Sequence, residues 1–199
     1  MTPIYPLISS QIDRGAVVLA RAFHADPAFT CAIADQARRA RVLPWFFGTV
    51  LRYGLLHDLV ETTPEVDGVA VWLRPGRTTM RLGGVLRAGM WRAMLQFSPA
   101  ELWRFVRQSS CEDRLHRRAI GGPHWYLFAL GVEPARQGQG IGSALIQAGV
   151  ARADADGLPC YLETVTERNV RFYAQHGFRV AAHGHLPAGG PPVWTMVRL

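Results

Sequence analysis

Three glycines, Gly138, Gly140 and Gly142, alternate within "QGQGIG", directly after an apolar run and directly before a helical pattern. A glycine loop between strand and helix lets backbone N–H groups close on an anion, because no Cβ stands in the way. The helix N-terminus adds roughly half a positive elementary charge. The chemistry on offer is the holding of phosphate groups. Downstream, Asn169 and Tyr173 are four apart and so share one face of a short helix. Glu163 ends the strand-like "CYLE", and a carboxylate at a strand end suits proton abstraction.

Several ligands could fit such a loop. A nucleoside triphosphate loop of the GxxxxGK[ST] kind needs a lysine to reach the phosphates, and the chain contains none. A dinucleotide fingerprint fares better, since Gly138-x-Gly140 is followed by Glu163 about 20 residues on, where an acid would hold a ribose. Its lateness in the chain and the two closing strands count against it. A coenzyme A diphosphate and a plain tight turn complete the set.

The elements that must position these residues follow from periodicity and turn signals. "IDRGAVVLARAFHADP" reads as an amphipathic helix ended by Pro27, and "ARRARVLPWFFGTVLRYGLL" as a basic helix started or interrupted by Pro44. "DLVETT" and "GVAVWLRPG" read as strands joined by the turn "PEVDG". Residues 82–119 are expected to be helical, with "SPAE" as a start signal: Ser98 as N-cap, Pro99 first, Glu101 closing a capping box. From Gly121 the expected order is strand "HWYLFALGV", glycine loop, helix "IGSALIQAGVARADAD", strand "LPCYLETV", short helix "ERNVRFYAQH" capped by Thr166, and strands "FRVAAHGHL" and "PVWTMVRL". The long helix should bury Ile141, Ala144, Leu145, Ala148 and Ala151. The expectation is one mixed α/β domain over 1–199, with a helical insertion at 76–120.

Bulk properties set the class. The chain has 199 residues, 49% hydrophobic and 19% charged, which suits a folded globular protein. Its +7 charge comes from arginine alone, favouring anionic ligands without choosing among them. Cys31, Cys111 and Cys160 are odd in number and unpaired in spacing, which suits a reducing compartment and offers no zinc pattern. No signal-like start and no apolar run near the ~20 residues of a membrane span is seen, so a cytoplasmic location is expected.

"VEPARQGQGIG" matches the pattern V-x-P-x-x-[RQ]-x-x-G-x-[GA] through Val132, Pro134, Gln137, Gly140 and Gly142. The segment "LETVTERNVRFYAQHGFRV" adds Asn169, Phe172, Tyr173, Gly177 and Phe178. Together these resemble the GNAT superfamily of acyl-CoA-dependent N-acyltransferases over about residues 124–182, and the wording of the second segment resembles the subgroup containing puromycin N-acetyltransferase. The resemblance implies a GNAT fold, a mixed, mostly antiparallel sheet flanked by helices, with residues 121–182 as the acyl-CoA-binding core. It also implies acetyl-CoA as donor and a small-molecule primary amine as acceptor, joined by direct attack in a ternary complex, with no metal.

By the same resemblance, Leu130 and Val132 pair with the pantetheine arm through their backbone. The amides of Gln137, Gly138, Gln139, Gly140, Ile141, Gly142 and Ser143 cradle the diphosphate, with Arg136 nearby. Asn169 bonds the pantetheine and Tyr173 sits near the thioester sulfur. Glu163 is the candidate base and His124 a weaker one. The acceptor pocket is expected from the N-terminal helices, the insertion, with Trp91, Trp103 and Phe105, and the closing hairpin. A monomer or homodimer is expected, with no nucleic acid or membrane partner. Rival readings are a non-catalytic acyl-CoA-binding module and a nucleic-acid- or membrane-binding protein acting through its basic, Trp-bearing helices.

Overall fold

In the computed structural model, which describes residues 2–57, 59–78 and 88–199, a seven-stranded sheet runs in the order β1-β2-β3-β4-β5-β7-β6. The strands are β1 (Tyr5–Pro6), β2 (Leu59–Thr62), β3 (Gly68–Leu73), β4 (Trp125–Val132), β5 (Cys160–Thr164), β6 (Arg179–His185) and β7 (Pro192–Arg198). Every neighbouring pair is antiparallel except β4 with β5. β3, "GVAVWL", is buried along its whole length, as a continuous apolar run inside a covered sheet should be.

Helices α1 (Ile12–Ala22), α2 (Pro27–Ala32) and α3 (Gln36–His57) come from the N-terminal part, and α4 (Pro99–Ala119) precedes β4. Helices α5 (Ile141–Asp156) and α6 (Glu167–Ala174) follow it. On one face of the sheet, Leu19, Phe47 and Leu51 of α1 and α3 pack on Val69, Val71 and Ala129. On the other, Ile141, Leu145 and Ile146 of α5 pack on Trp72 and Leu127.

The local signals act as read in most places. Ser98 Oγ accepts from the Glu101 N–H and the Glu101 carboxylate accepts from the Ser98 N–H, closing the capping box of α4. Thr166 Oγ1 caps α6 by accepting from the Asn169 N–H. Gly157, left-handed at φ 64°, ends α5.

Some boundaries differ from the sequence reading. α1 stops at Ala22, and Pro27 opens α2 instead of ending α1, because Asp26 supplies the N-cap by accepting from the Ala28 N–H. Pro44 lies inside α3 without breaking it. The buried face of α5 is Ile141, Leu145, Ile146, Gly149 and Ala153, with Ala151 exposed. The stripe is rotated because Gly149 takes the indole of Trp72 against its Cα. Residues 79–87 of the expected helical insertion lie outside the described residues.

The feature that positions the site is an irregularity in β4. Val71 pairs with Ala129 and Trp72 with Leu127, so Phe128 is an extra residue, a β-bulge. Alternation alone would put Ala129 on the same side as Leu127. Instead Ala129 packs with α1 and α3, whereas Leu127 packs with α5. On its other edge β4 pairs with β5 only as far as Leu127 with Leu162, while β5 continues with β7 to Thr164. The two parallel strands therefore part after Leu127.

Candidate active site

Two clefts meet where β4 and β5 part. The open groove, about 640 Å³, is lined by Leu130, Gly131 and Val132, by Arg136–Gly138 and Gly140–Ser143 of the loop, and by Asn169 and Tyr173 of α6. The smaller cavity, about 200 Å³, lies between the N-terminal helices, α4 and the bulged part of β4, with Glu163 in its wall. Phe23, Asp26, Leu130, Asn169 and Tyr173 border both.

The loop has the geometry of an anion cradle. Gly138 and Gly140 take φ values of 77° and 81°, a region that costs any residue with a Cβ. A Cβ built on either meets nothing within 4 Å, so the space above them is open. The first backbone bond into α5 runs from the Ala144 N–H to the Gly140 carbonyl. The amides of Ile141, Gly142 and Ser143 therefore precede the intrahelical ladder and face the groove end of the helix. A Cβ on Gly142 would stand 3.3 Å from Phe172, so this glycine lets α6 approach.

Polar partners modify several expectations. Gln137 turns its Nε2 back to the Val132 carbonyl (3.2 Å). Ser143 Oγ is 3.2 Å from His176 Nε2, a contact the sequence reading did not anticipate. Arg136 forms an ion pair with Asp67 at 3.3 Å while still bordering the groove, and Arg168 joins it there. From Phe128 to Val132 the β5-side edge of β4 has no strand partner, which is what an extended ligand arm needs for backbone pairing. Coenzyme A fits this donor set: free helix amides and arginines for its phosphates, a free strand edge for its arm.

Glu163 is held by two phenols. Tyr126 donates to one carboxylate oxygen at 2.5 Å and Tyr161 to the other at 2.6 Å. Burial pushes its carboxyl up to about 8, Glu112 adds to the rise, and the two phenols oppose it. Both tyrosines are themselves pushed up by burial and then by Glu163, so they remain donors. Tyr161 stacks on His116, centroids 4.0 Å apart at 7°. His116 Nε2 lies 2.7 Å from His124 Nε2, and His124 Nδ1–H donates to the Gly122 carbonyl. Burial, and then His124, holds His116 down at about 4. His124 is thus a structural imidazole behind Tyr161, and it does not line the cavity.

Tyr173 is 8% exposed and borders both clefts. Among the described residues its hydroxyl has no hydrogen-bond partner, and burial followed by Asp26 holds its phenol well above the ordinary value. It is protonated at neutral pH, and its ring packs against Phe172 and Phe178.

The cavity corrects the expected acceptor pocket. Trp91 and Trp103 are 56% and 57% exposed, under Arg92 and Arg107 at 5.0 and 4.5 Å respectively, and do not line it. Phe105 does, with Phe29, Phe46 and Phe47. No residue of the β6–β7 hairpin is in the wall, because that hairpin packs on α4 further along, Cys111 Sγ lying 3.7 Å from the His185 carbonyl. Asp26 and Glu112, both in the wall, were missed. Asp26 carried a signal, as an acid before a proline at a helix start; Glu112 carried none.

Comparisons place this geometry among known proteins. Residues 100–178 match the model of the Acetyltransferase (GNAT) family. An uncharacterized N-acetyltransferase of Schizosaccharomyces pombe is 26% identical over 173 residues, covering 83% of this chain and 69% of that one. A Corynebacterium glutamicum protein of the histone acetyltransferase HPA2 and related acetyltransferase group shares the fold at TM-score 0.73 and 23% identity, over 100% of this chain and 96% of that one. The Drosophila melanogaster polyamine N acetyltransferase, an enzyme that catalyzes the formation of N acetylagmatine, shares it at TM-score 0.61 and 14% identity, over 99% of each chain. The family match over residues 100–178, the relative spanning most of the chain and the common fold support the GNAT superfamily and an acyltransferase activity for this chain.

Proposed function

We propose that the protein, with residues 1–199 acting as one N-acetyltransferase domain, transfers an acetyl group from acetyl-CoA to a primary amine of a small molecule within a ternary complex. The observation that carries this reading is the meeting of the two clefts at Leu130, Asn169 and Tyr173. A donor along the glycine loop and an acceptor in the aromatic cavity would touch only there. The fold neighbour from Drosophila acts on a polyamine-type amine, which agrees with the reading without carrying it.

Bound acetyl-CoA supplies the activated thioester. Val132 to Leu130 present a free strand edge to its arm, and the amides of Gly138 to Ser143 with Arg136 and Arg168 receive its phosphates. Beyond the bulge at Phe128 the β5-side edge of β4 is unpaired, so backbone N–H groups near Leu130 would be available to polarise a carbonyl. Glu163, raised toward neutral pH, takes the proton the amine gives up, directly or through water. Tyr173, held protonated, offers its O–H to the leaving thiolate. Alignment of the two reactants in abutting clefts contributes further.

The test is thiol release from acetyl-CoA by the purified protein against a broad panel of primary amines, with acetylated product identified by mass. Release that depends on the amine supports the reading. A protein that binds acetyl-CoA yet releases no thiol with any amine would sink it and restore the binding-module alternative.

A further inference from the structure

The cavity wall holds three carboxylates and, among the described residues, no arginine or histidine. This is unusual in a chain with a net charge of +7. Glu163 has its two phenols and Asp26 Oδ1 has the Ala28 N–H. Glu112, on α4, is half-buried in the cavity wall and has neither hydrogen bond nor ion pair among the described residues. Its potential is felt by Glu163, and it feels that of Asp26 in turn. An ionised carboxylate without a partner in such a wall is costly, and either a proton or a cation relieves it. Burial pushes the Glu112 and Asp26 carboxyls up, and a cation between them would restore both to the charged form.

Rings surround the same space. Phe29, Phe46 and Phe105 are in mutual contact, with centroids 5.7 to 5.9 Å apart. Aromatic faces beside carboxylates suit an organic cation with an apolar body. A metal ion does not suit the site, since no group of three carboxylate, histidine or cysteine side chains among the described residues converges on one point. The α2 backbone that carries Asp26 is clamped from two helices. Arg39 of α3 donates to the Ile33 carbonyl, and Arg104 and Gln108 of α4 donate to the Ala32 and Ala28 carbonyls. Asp26 and Glu112 are thus held in place on the same wall.

Charge counting then decides the kind of amine. The reacting ammonium must lose its proton before attack, and Glu163 takes it. After that step a monoamine carries no charge and gives Asp26 and Glu112 no cation to pair with. Resting on the acetyl-transfer reading above, we infer that the acceptor is a small aliphatic diamine, whose second, non-reacting ammonium is held by Glu112 and Asp26 among the Phe29, Phe46 and Phe105 rings while its first amine faces Glu163. One N–C bond forms at the first amine and the thioester C–S bond breaks. The reacting nitrogen gives up two protons. The first passes to Glu163 before attack; the second, released as the amide forms, replaces the one Tyr173 gives to the leaving thiolate, and the second ammonium is unchanged. Amino acids and other acceptors bearing a carboxylate are repelled by the same wall.

Cadaverine, pentylamine and phenethylamine separate the possibilities, read by initial rates with acetyl-CoA and by calorimetric binding to the protein. For wild type, kcat/KM with cadaverine should exceed that with pentylamine by about tenfold or more, and cadaverine should bind more tightly by a similar factor. Glu112→Gln should bring both ratios to about one, through KM and Kd. Equal values for cadaverine and pentylamine in wild type, a preference for phenethylamine over both, or a ratio that survives Glu112→Gln each overturn the inference. If no amine releases thiol, the acetyl-transfer reading falls, and the calorimetric ratio in wild type still decides the dication site, with or without a folded variant.

Discussion

Glu163 sits in a balance of opposed effects, with burial and Glu112 favouring the neutral acid and two short phenol bonds favouring the anion. A base in this state works only when ionised, so activity should fall as pH drops through its raised value near 8. Tyr126→Phe removes one donor to the anion. The Glu163 value then rises further, and the acidic limb of the kcat/KM–pH profile moves to higher pH, by about one unit if the lost bond is worth the usual 1.5 kcal/mol or so of a charged hydrogen bond. A limb that stays in place or moves to lower pH would remove Glu163 from the role of base. Glu163→Gln should cost about tenfold or more in kcat/KM above about pH 8 and less below it, where wild type is itself protonated. A loss well under tenfold above that pH would have the same consequence.

At the scale of elements, two glycines of the same segment serve opposite ends. Gly140 is the N-cap of α5 at φ 81°, with open space where a Cβ would stand. Gly140→Ala should cost only the backbone strain, about 1 kcal/mol in a melting experiment, while KM for acetyl-CoA rises by about tenfold. Gly149 lies in the middle of α5, where a Cβ would fall 2.1 Å from Trp72. Gly149→Ala should destabilise by about 3 kcal/mol or abolish folding, and any folded fraction should keep its KM. A variant pair with these effects exchanged would show that the loop is a packing feature and not a ligand cradle. Both glycines are visible in the chain, but only the packed helix separates the one that meets a ring from the one that meets solvent.

Over the whole molecule, the N-terminal helices and the α4 segment are tied together by Arg38, whose Nε and Nη2 donate to the two Glu101 oxygens at 2.8 and 2.7 Å. Glu101 is 5% exposed, and its bond to Arg38 holds it down at about 2, against burial. A folded-state value below the unfolded one gives stability that is present above the unfolded carboxylate range and lost as pH falls through about 2. Glu101→Gln should therefore cost on the order of 2–3 kcal/mol at neutral pH by chemical denaturation, with the difference from wild type shrinking below about pH 4. A pH-independent difference would assign the loss to the capping box alone. Since this tie closes the wall that carries Phe105 and Glu112, its loss should also raise KM for the amine.

Local chemistry in the chain was enough to recognise the capping box at Ser98, the Thr166 cap, the alternating glycines and the strands on either side of them. Each depends on residues within a few positions of one another. It also offered Asn169, Tyr173 and Glu163 as candidates, through their spacing and a family resemblance, and the fold sets all three around the same cavity. It could not show that β4 inserts Phe128 and so reverses which residues face α1 and α3, since a bulge is set by pairing with Val71 and Trp72 more than fifty positions away. Nor could it assemble the cavity, whose rings come from Phe23, Phe29, Phe46 and Phe105 and whose acids come from Asp26, Glu112 and Glu163. Trp91 and Trp103 were the more conspicuous residues by composition and proved to be on the surface. The open groove is built mostly from one stretch, Leu130 to Tyr173, with only residues near Pro27 added from α1 and α2, and is largely legible there. The aromatic cavity exists only once the N-terminal helices, α4, β4 and the segment from β5 to α6 have packed, because burial and the mutual repulsion of its acids are properties of the packed state.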